Sequence, residues 1–226
     1  MRFGALGDIH GDFESARRAI RRHSDVPFWL CVGDIADDRG RYEDLGVPVH
    51  WIKGNNENFD RIASGELSPN LLFLPNGIAR EVDGIVIAGL GGTFAPTMYE
   101  VRAADLPHPK KSSVKATELA DRRRHFVREE VEACKALHGV AVFMTHEAPR
   151  PYTVGGSGSR RGIDAGKTPV NEILAAMKPR LHLFGHHHRF TEQERQGVRS
   201  VGLDLISQSY LLIDSTTLEY EKLTNR

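Results

Sequence analysis

Seven side chains of metal-ligand type follow short apolar runs of the sequence, at the points where those runs end. In chain order they are Asp8, His10, Asp34, Asn55, His146, His186 and His188. Two carboxylates, one amide oxygen and four imidazoles suit Mn²⁺, Fe²⁺, Zn²⁺ or Co²⁺ better than Ca²⁺. Seven ligands are too many for one tetrahedral ion, so they favour two ions that share a bridging carboxylate. Such a pair of ions clamps the attacking and leaving oxygens of an in-line displacement.

The apolar runs that position these residues have the length and composition of buried strands. We predict strands over Arg2–Gly7, Pro27–Val32, Val47–Lys53, Ile85–Leu90, Val140–Thr145, Leu181–Phe184, Val198–Leu203 and Ser209–Ile213. Helical patterns lie between them, over Phe13–Arg22 with Asp12 as N-cap, Ala116–Leu137, and Pro169–Met177 with Thr168 as N-cap. This alternation indicates an α/β fold with a partly parallel sheet, whose strands gather the seven ligands at their carboxyl ends.

The last third of the chain has consecutive strand patterns, with turn signals at Gln196-Gly197 and Asp214-Ser215. We expect these strands to pair antiparallel, at a sheet edge or in a second sheet. Two long stretches have no regular pattern, Ala95–Ser113 and Pro149–Lys167. Long loops in a compact domain are usually functional or disordered.

Composition indicates a soluble globular protein, which we expect to form a single domain over 1–226. The start of the chain lacks the pattern of a secretory signal, and no apolar run approaches the roughly 20 residues of a membrane helix. The two cysteines do not form a close pair, which favours a cytoplasmic location. The sequence does not indicate an oligomeric state.

Charge does not point to a nucleic-acid or membrane partner for the molecule as a whole, because acidic and basic residues balance at 30 each. One basic stretch, from Arg102 to Arg128, is either the solvated face of a helix, which we favour, or a surface for a polyanion.

The order of the ligand-bearing blocks carries a family resemblance. The blocks are Asp8-Ile9-His10, Gly33-Asp34, Gly54-Asn55-Asn56-Glu57, His146 and Gly185-His186-His187-His188. They resemble the calcineurin-like metallophosphoesterases, whose pattern is D-x-H, G-D, G-N-H-[DE], H and G-H-x-H in the same order. The resemblance implies an α/β fold built as a four-layer α/β/β/α sandwich of the metallophosphoesterase type.

The resemblance also implies how the ligands divide between two ions. One ion would be held by Asp8, His10, Asp34 and His188, and the other by Asp34, Asn55, His146 and His186, with Asp34 bridging. The expected cofactors are two divalent ions, Mn²⁺ first and Fe or Zn as alternatives. A hydroxide between them would attack phosphorus.

One block departs from the family pattern, because Asn56 stands where the family has a histidine. In the family that histidine stabilises developing charge or protonates the leaving oxygen. An amide can donate a hydrogen bond but cannot supply a proton. We therefore treat Asn56 as a catalytic candidate beside Asp34, without an acid role.

Four residues are candidates for contact with the substrate. Arg39, in a turn after Asp34, would bind phosphate or is an exposed turn residue. Arg160 and Arg161 belong to a glycine-rich loop that either overhangs the metals or merely connects two elements. His187 would either contact the substrate or pack away from the metals.

These residues predict a metal-dependent phosphoric ester hydrolase, preferably a phosphodiesterase, acting on a phosphate ester such as a nucleotide or nucleic acid. The segments 54–57, 69–74 and 89–94 are loosely similar to the catalytic domain of RNA lariat-debranching enzymes. The alternatives are a phosphomonoesterase or protein phosphatase on the same site, or a non-catalytic scaffold of this fold.

Overall fold

The computed structural model describes residues 1–106, 121–155 and 162–225. Its strands are β1 (Arg2–Leu6), β2 (Trp29–Cys31), β3 (Val49–Trp51), β4 (Leu71–Phe73), β5 (Ala79–Val82), β6 (Ile85–Leu90), β7 (Thr93–Phe94), β8 (His125–Phe126), β9 (Val142–Thr145), β10 (Thr153–Val154), β11 (Ile163–Asp164), β12 (Leu181–Phe184), β13 (Thr191–Arg195), β14 (Val198–Gly202), β15 (Ser209–Asp214) and β16 (Tyr220–Thr224). The helices are α1 (Phe13–Arg21), α2 (Phe59–Ser64), α3 (Arg128–Lys135) and α4 (Thr168–Met177).

Most strands form two six-stranded sheets. The first sheet has the order β16-β15-β1-β2-β3-β4, in which β1 to β4 run parallel and β15 and β16 antiparallel. The second has the order β13-β14-β12-β9-β6-β5, with a parallel centre of β6, β9, β12 and β14 and antiparallel edge strands. Two short pairs, β7-β8 and β10-β11, lie outside these sheets.

Three apolar cores account for the stacking of the layers. One lies between the sheets and joins residues such as Leu30 of β2 to Met144 of β9. A second joins the other face of the first sheet to α1, through Trp29 and Ala16 among others. A third joins the second sheet to α3 and α4, through Phe143. The expected four-layer α/β/β/α sandwich is therefore confirmed.

The eight predicted strands are all present, each within two residues of its expected ends. The N-cap of α1 is also as expected, because the Asp12 carboxylate accepts a hydrogen bond from Ser15 N at 3.1 Å. The hairpin at Gln196-Gly197 forms between β13 and β14, and both turn residues have positive φ, 55° and 74°. A pair of positive φ values gives a turn whose twist matches that of the flanking strands.

Two helix predictions need correction. Thr168 is not an N-cap but the first residue of α4, because Lys167 precedes it in extended conformation and donates its N–H to Ala148 O at 2.9 Å. Within the described residues the helix predicted over Ala116–Leu137 begins only at Arg128. The Glu130 carboxylate accepts the N–H of Val127 at 2.9 Å, which places the helix start there.

The C-terminal strands, predicted to pair antiparallel at a sheet edge or in a second sheet, divide between the two sheets. Strands β13 and β14 join the second sheet, whereas β15 and β16 extend the first sheet beside β1. The chain changes sheet after β14, where Leu203 N donates to Phe184 O of the second sheet at 2.9 Å and Ile206 N donates to Asp8 O of the first at 3.1 Å. Among the described residues, none of the helices has the length and hydropathy to cross a bilayer.

A change at Gly4 tests the packing of the first sheet. Gly4 pairs with Trp29 in the β1-β2 register, and a Cβ at Gly4 would collide with the indole ring. We expect Gly4→Ala to reduce the free energy of unfolding by about 1–3 kcal/mol through overpacking. Urea unfolding of Gly4→Ala, Trp29→Leu and the double variant measures this, since the smaller side chain should relieve the added methyl group. An equal cost of Gly4→Ala in both backgrounds would contradict the packing account.

Candidate metal centre

The seven predicted ligands lie where the carboxyl ends of both sheets meet. Hydrogen bonds join the sheets at this edge. The Nδ1 atom of His146, after β9, lies 2.9 Å from Val32 O, after β2. The backbone N–H of His186, after β12, donates to the Asp8 carboxylate at 3.0 Å. The ligands of the first sheet are thus brought against those of the second.

The ligand atoms form two groups. Asp8, His10 and His188 make one group, and Asp34, His146 and His186 make the other, with the ligand atoms of each group within 4.8 Å of one another. In the first group, His188 Nε2 lies 3.0 Å from Asp8 Oδ2 and 3.1 Å from His10 Nε2. The seventh predicted ligand, Asn55, joins the second group, because its Oδ1 atom lies 3.1 Å from His146 Nε2.

The Asp34 carboxylate lies between the two groups. Its Oδ2 atom is 3.5 Å from His146 Nε2 in one group and 3.6 Å from His10 Nε2 in the other. The side chain is almost completely buried, at 2% exposure. One oxygen atom is therefore within reach of both groups, which is the position a bridging ligand requires.

The backbone is strained at four of the seven ligands. Four ligands have positive φ, in the left-handed region that residues other than glycine rarely adopt. The values are 47° for His10, 51° for Asp34, 70° for His186 and 51° for His188. Each such residue costs of the order of 1–3 kcal/mol, and such strain concentrates at functional sites. All four residues belong to the two groups of converging ligand atoms.

The close approach of the Gly54 backbone to Asp34 requires glycine at position 54. A Cβ at Gly54 would collide with both the carboxylate and the backbone nitrogen of Asp34. The loop after β3 can therefore approach the loop after β2 only with glycine at this position.

The electrostatic field favours a cation at the centre. Burial lowers the pKa of His146, but the charge and hydrogen bond of Asp34, together with Asp8 and Val32 O, outweigh burial and raise the pKa to about 10. The pKa of Asp34 falls below its usual value: burial acts against this, but the charge and hydrogen bond of His146 and the N–H of Asn56 together outweigh burial. Burial lowers the pKa of His186 to about 3, which keeps its imidazole neutral and able to bind a metal. Buried carboxylates and imidazoles that converge in this way fit divalent transition-metal ions.

Asn56 contacts the bridging carboxylate with both its backbone and its side chain. Its N–H donates to Asp34 Oδ1 at 2.7 Å, and its side-chain Nδ2 donates to Asp34 Oδ2 at 3.3 Å. The residue is half-buried.

Sequence reasoning missed the role of Glu57. Its buried carboxylate accepts hydrogen bonds from Ile35 N at 3.1 Å, Gly54 N at 3.3 Å and the Tyr42 hydroxyl at 2.9 Å. Burial and the charge of Asp34 raise its pKa to about 8, against the effect of these donors. The carboxylate thus ties the loop that carries Asp34 to the loop that carries Asn55. The sequence shows that Glu57 belongs to the motif 54–57. It does not show which residues, distant in the chain, donate hydrogen bonds to its carboxylate.

The predicted substrate contacts have different surroundings. Arg39 is exposed in the turn after β2, where its N–H donates to Asp37 Oδ1 at 2.9 Å. His187 packs its ring against Tyr152, with centroids 4.5 Å apart. Arg160 and Arg161 lie outside the described residues.

Two of the described arginines of the basic stretch, Arg123 and Arg128, are paired with acids. Arg123 contacts both Asp121 and Asp60, and Arg128 contacts Glu100. These pairs reduce the positive charge that the stretch presents to a polyanion.

The chain matches the calcineurin-like phosphoesterase family over residues 1–190. A lariat debranching enzyme of Schizosaccharomyces pombe is 24% identical over 204 residues, which cover 81% of this chain and 42% of that protein. The chain therefore spans about two fifths of the length of this curated relative.

Solved structures share the fold at low identity. A Thermus thermophilus protein superposes with a TM-score of 0.65 at 15% identity, covering 100% of this chain and 99% of its own. An archaeal phosphodiesterase gives 0.53 at 13% identity, covering 99% of both chains. A dimetal phosphatase from Danio rerio gives 0.54 at 14% identity, covering 100% of this chain and 99% of its own.

Glu57→Gln tests whether this carboxylate positions the ligand loops. The variant keeps the side-chain volume but replaces one accepting oxygen with an NH₂ group, which cannot accept from Ile35 N and Gly54 N on one side or from Ala36 N on the other, so we expect the affinity for Mn²⁺ to fall about 10–100-fold. Calorimetric titration with Mn²⁺ measures the change. Tyr42→Phe is the matched control, because it removes one donor and leaves the carboxylate in place. Wild-type affinity in Glu57→Gln would show that Glu57 stabilises the loops without positioning the ligands.

Proposed function

This chain belongs to the calcineurin-like phosphoesterase family, and we propose that it hydrolyses phosphodiesters of nucleotides or nucleic acid. The observation that carries the proposal is the position of Asp34 Oδ2, 3.5 Å from His146 Nε2 and 3.6 Å from His10 Nε2. A shared carboxylate between two ligand groups suits a pair of divalent ions, which supply a nucleophile at neutral pH and neutralise charge on phosphoryl oxygens.

The chain's own groups would hold and orient this centre. We propose that Asp8, His10, Asp34 and His188 hold one ion, and that Asp34, Asn55, His146 and His186 hold the other. If His146 donates its Nδ1 proton to Val32 O, its Nε2 lone pair is left directed at the centre. The backbone N–H of His186 donates to the Asp8 carboxylate and so fixes the orientation of that ligand.

Asn56 is proposed as a positioning residue with access to the substrate. Its side-chain amide donates to Asp34 Oδ2, the oxygen shared by both ligand groups, and so fixes the orientation of that carboxylate. An amide has no proton to give to a leaving oxygen at a useful pKa. The reaction would therefore rely on a leaving group that departs as an anion or takes its proton from water.

A diester has two substituents on phosphorus, and two cavities are lined by residues that lie close in the chain to metal ligands. One cavity of about 230 Å³ is lined by Lys53 and Phe59, which bracket Asn55 in the chain. Another of about 230 Å³ is lined by Tyr152 and Arg189, the latter directly after His188. A monoester has a single substituent to place. The lariat debranching relative adds support for a diester of nucleic acid.

We propose Mn²⁺ as the working metal, with Fe or Zn as alternatives, and a cytoplasmic location. Both cysteines, Cys31 and Cys134, are buried and free. Burial raises the pKa of the Cys134 thiol to about 12, which makes it unreactive. Free thiols of this kind suit a reducing compartment.

Asp34→Asn tests the bridge directly. Loss of the shared charge should weaken both ion sites together, so we expect Mn²⁺-dependent hydrolysis to fall more than about 100-fold. This loss exceeds the fall of about 10–100-fold that is usual when a residue bonded to a metal ligand is changed. Asp38→Asn, on the exposed part of the same loop, is the matched control and should retain activity. Circular dichroism checks that both variants fold. Asp34→Asn activity close to that of the wild type would refute a shared carboxylate.

Paired substrates test the reaction class. We expect kcat/KM for bis-nitrophenyl phosphate to exceed that for nitrophenyl phosphate by at least about tenfold, because only the diester uses both sides of the site. Added salt should weaken hydrolysis of a polynucleotide more than that of the small diester. A purified, Mn²⁺-loaded protein that prefers the monoester, or that cleaves phosphopeptides and no diester, would instead be a phosphomonoesterase.

A further inference from the structure

A hydrogen-bond network of three buried side chains, Ser200, His182 and Thr145, crosses the second sheet. Strand β12 carries His182 and lies between β14, which carries Ser200, and β9, which ends at Thr145. Ser200 Oγ lies 3.0 Å from His182 Nδ1, and His182 Nε2 lies 2.8 Å from Thr145 Oγ1. The network therefore runs from strand to strand and reaches the residue that precedes the predicted ligand His146.

The network ends on the backbone just after this ligand. Thr145 Oγ1 lies 2.6 Å from Glu147 O, and a carbonyl oxygen can only accept, so the Thr145 hydroxyl donates. His146 stands between these two residues in the chain, and its Nδ1 atom lies 2.9 Å from Val32 O of the first sheet. The Thr145 hydroxyl thus fixes the backbone on both sides of the ligand.

The carbonyl at the end of the network determines the direction of every hydrogen bond in it. Thr145 gives its one proton to Glu147 O, so its oxygen accepts from His182, which places a proton on His182 Nε2. Burial lowers the pKa of His182 to about 3, so the imidazole is neutral and its Nδ1 atom carries no proton. Nδ1 then accepts from the Ser200 hydroxyl. The network allows one tautomer of His182.

Packing alone does not explain a histidine at position 182. Its ring lies between those of Phe143 and Phe184, with centroids 5.9 and 5.7 Å away, and a phenylalanine would fill that space without burying polar atoms. Buried polar networks in which each member is paired rigidify one arrangement of the chain. Because this network ends at the loop that carries His146, the arrangement that it fixes is that of the ligand.

We propose that the network positions the metal ligand His146, with His182 held as the neutral tautomer that is protonated at Nε2. The inference rests on the proposed function, because it takes His146 as a ligand of the metal centre. Thr145 and His182 are positioning residues, which act on the metal through His146.

The first test measures the tautomer in chelator-treated protein. Nitrogen-15 magnetic resonance separates protonated from unprotonated ring nitrogens, and the signals of His182 are those that disappear in His182→Phe. We expect a protonated Nε2 and an unprotonated Nδ1 at neutral pH. The opposite tautomer, or a ring protonated at both nitrogens, would overturn the assigned direction of the network.

The second test measures Mn²⁺ affinity by calorimetric titration. Thr145→Val removes the hydroxyl and keeps the branched shape, so the backbone beside His146 loses its hydrogen bond. We expect the affinity for one of two Mn²⁺ ions to fall about 10–100-fold, as is usual when a group that orients a metal ligand is lost. Thr145→Ser keeps the hydroxyl and should bind Mn²⁺ as the wild type does. Wild-type affinity in Thr145→Val would overturn the positioning role.

Two further variants separate positioning from stability. Ile173→Ala leaves a cavity in the core beneath α4, so it should unfold at lower urea concentration and still bind Mn²⁺ as the wild type does. The double variant Thr145→Val with His182→Phe removes both partners of one buried hydrogen bond, so part of the stability lost in Thr145→Val should return. Its Mn²⁺ affinity should stay low. Affinity that returns with stability, or that falls equally in Ile173→Ala, would show that the network acts through stability alone.

These measurements do not depend on hydrolysis, so they distinguish failure of the positioning role from failure of the proposed reaction. If the wild type binds two Mn²⁺ ions but hydrolyses no diester, the proposed reaction fails, and the difference between Thr145→Val and Thr145→Ser still supports or overturns the positioning role. A wild type that binds no Mn²⁺ would overturn both.

Discussion

The charge of one buried carboxylate, that of Asp34, governs the local structure around the site. A buried anion without compensation is costly, so its surroundings must supply donors or cations. Asn56 supplies two hydrogen bonds, and His146 and His10 approach from opposite sides. Gly54 leaves the space that the carboxylate occupies. Each of these features has a direct explanation if cations share Asp34.

Both sheets supply ligands to the candidate metal centre. The first sheet supplies both carboxylates, whereas the second supplies three histidines, and neither sheet alone holds a complete ligand group. The bonds from His146 to Val32 O and from His186 N to Asp8 hold the two edges together. Stability of the core between the sheets is thereby coupled to ligand geometry, since a shift of one sheet would separate both groups.

The sequence predicted the strands that carry ligands because each is a short apolar run that ends in a ligand-type residue. It did not predict edge strands such as Ala79–Val82 and Tyr220–Thr224, whose polar residues resemble those of loops. Thr168 was wrongly chosen as a cap because the tertiary hydrogen bond of Lys167 cannot be read from local pattern. The bracing role of Glu57 was hidden for the same reason, since two of its donors, Tyr42 and Ile35, are distant in the chain.

Electron paramagnetic resonance of the Mn²⁺-loaded protein tests the central claim most directly, because magnetic coupling reports whether two ions share a ligand. A carboxylate that bridges ions about 3.5–4 Å apart should give two Mn²⁺ per chain and an exchange-coupled spectrum. A single Mn²⁺ per chain with an uncoupled six-line spectrum would contradict the shared position of Asp34.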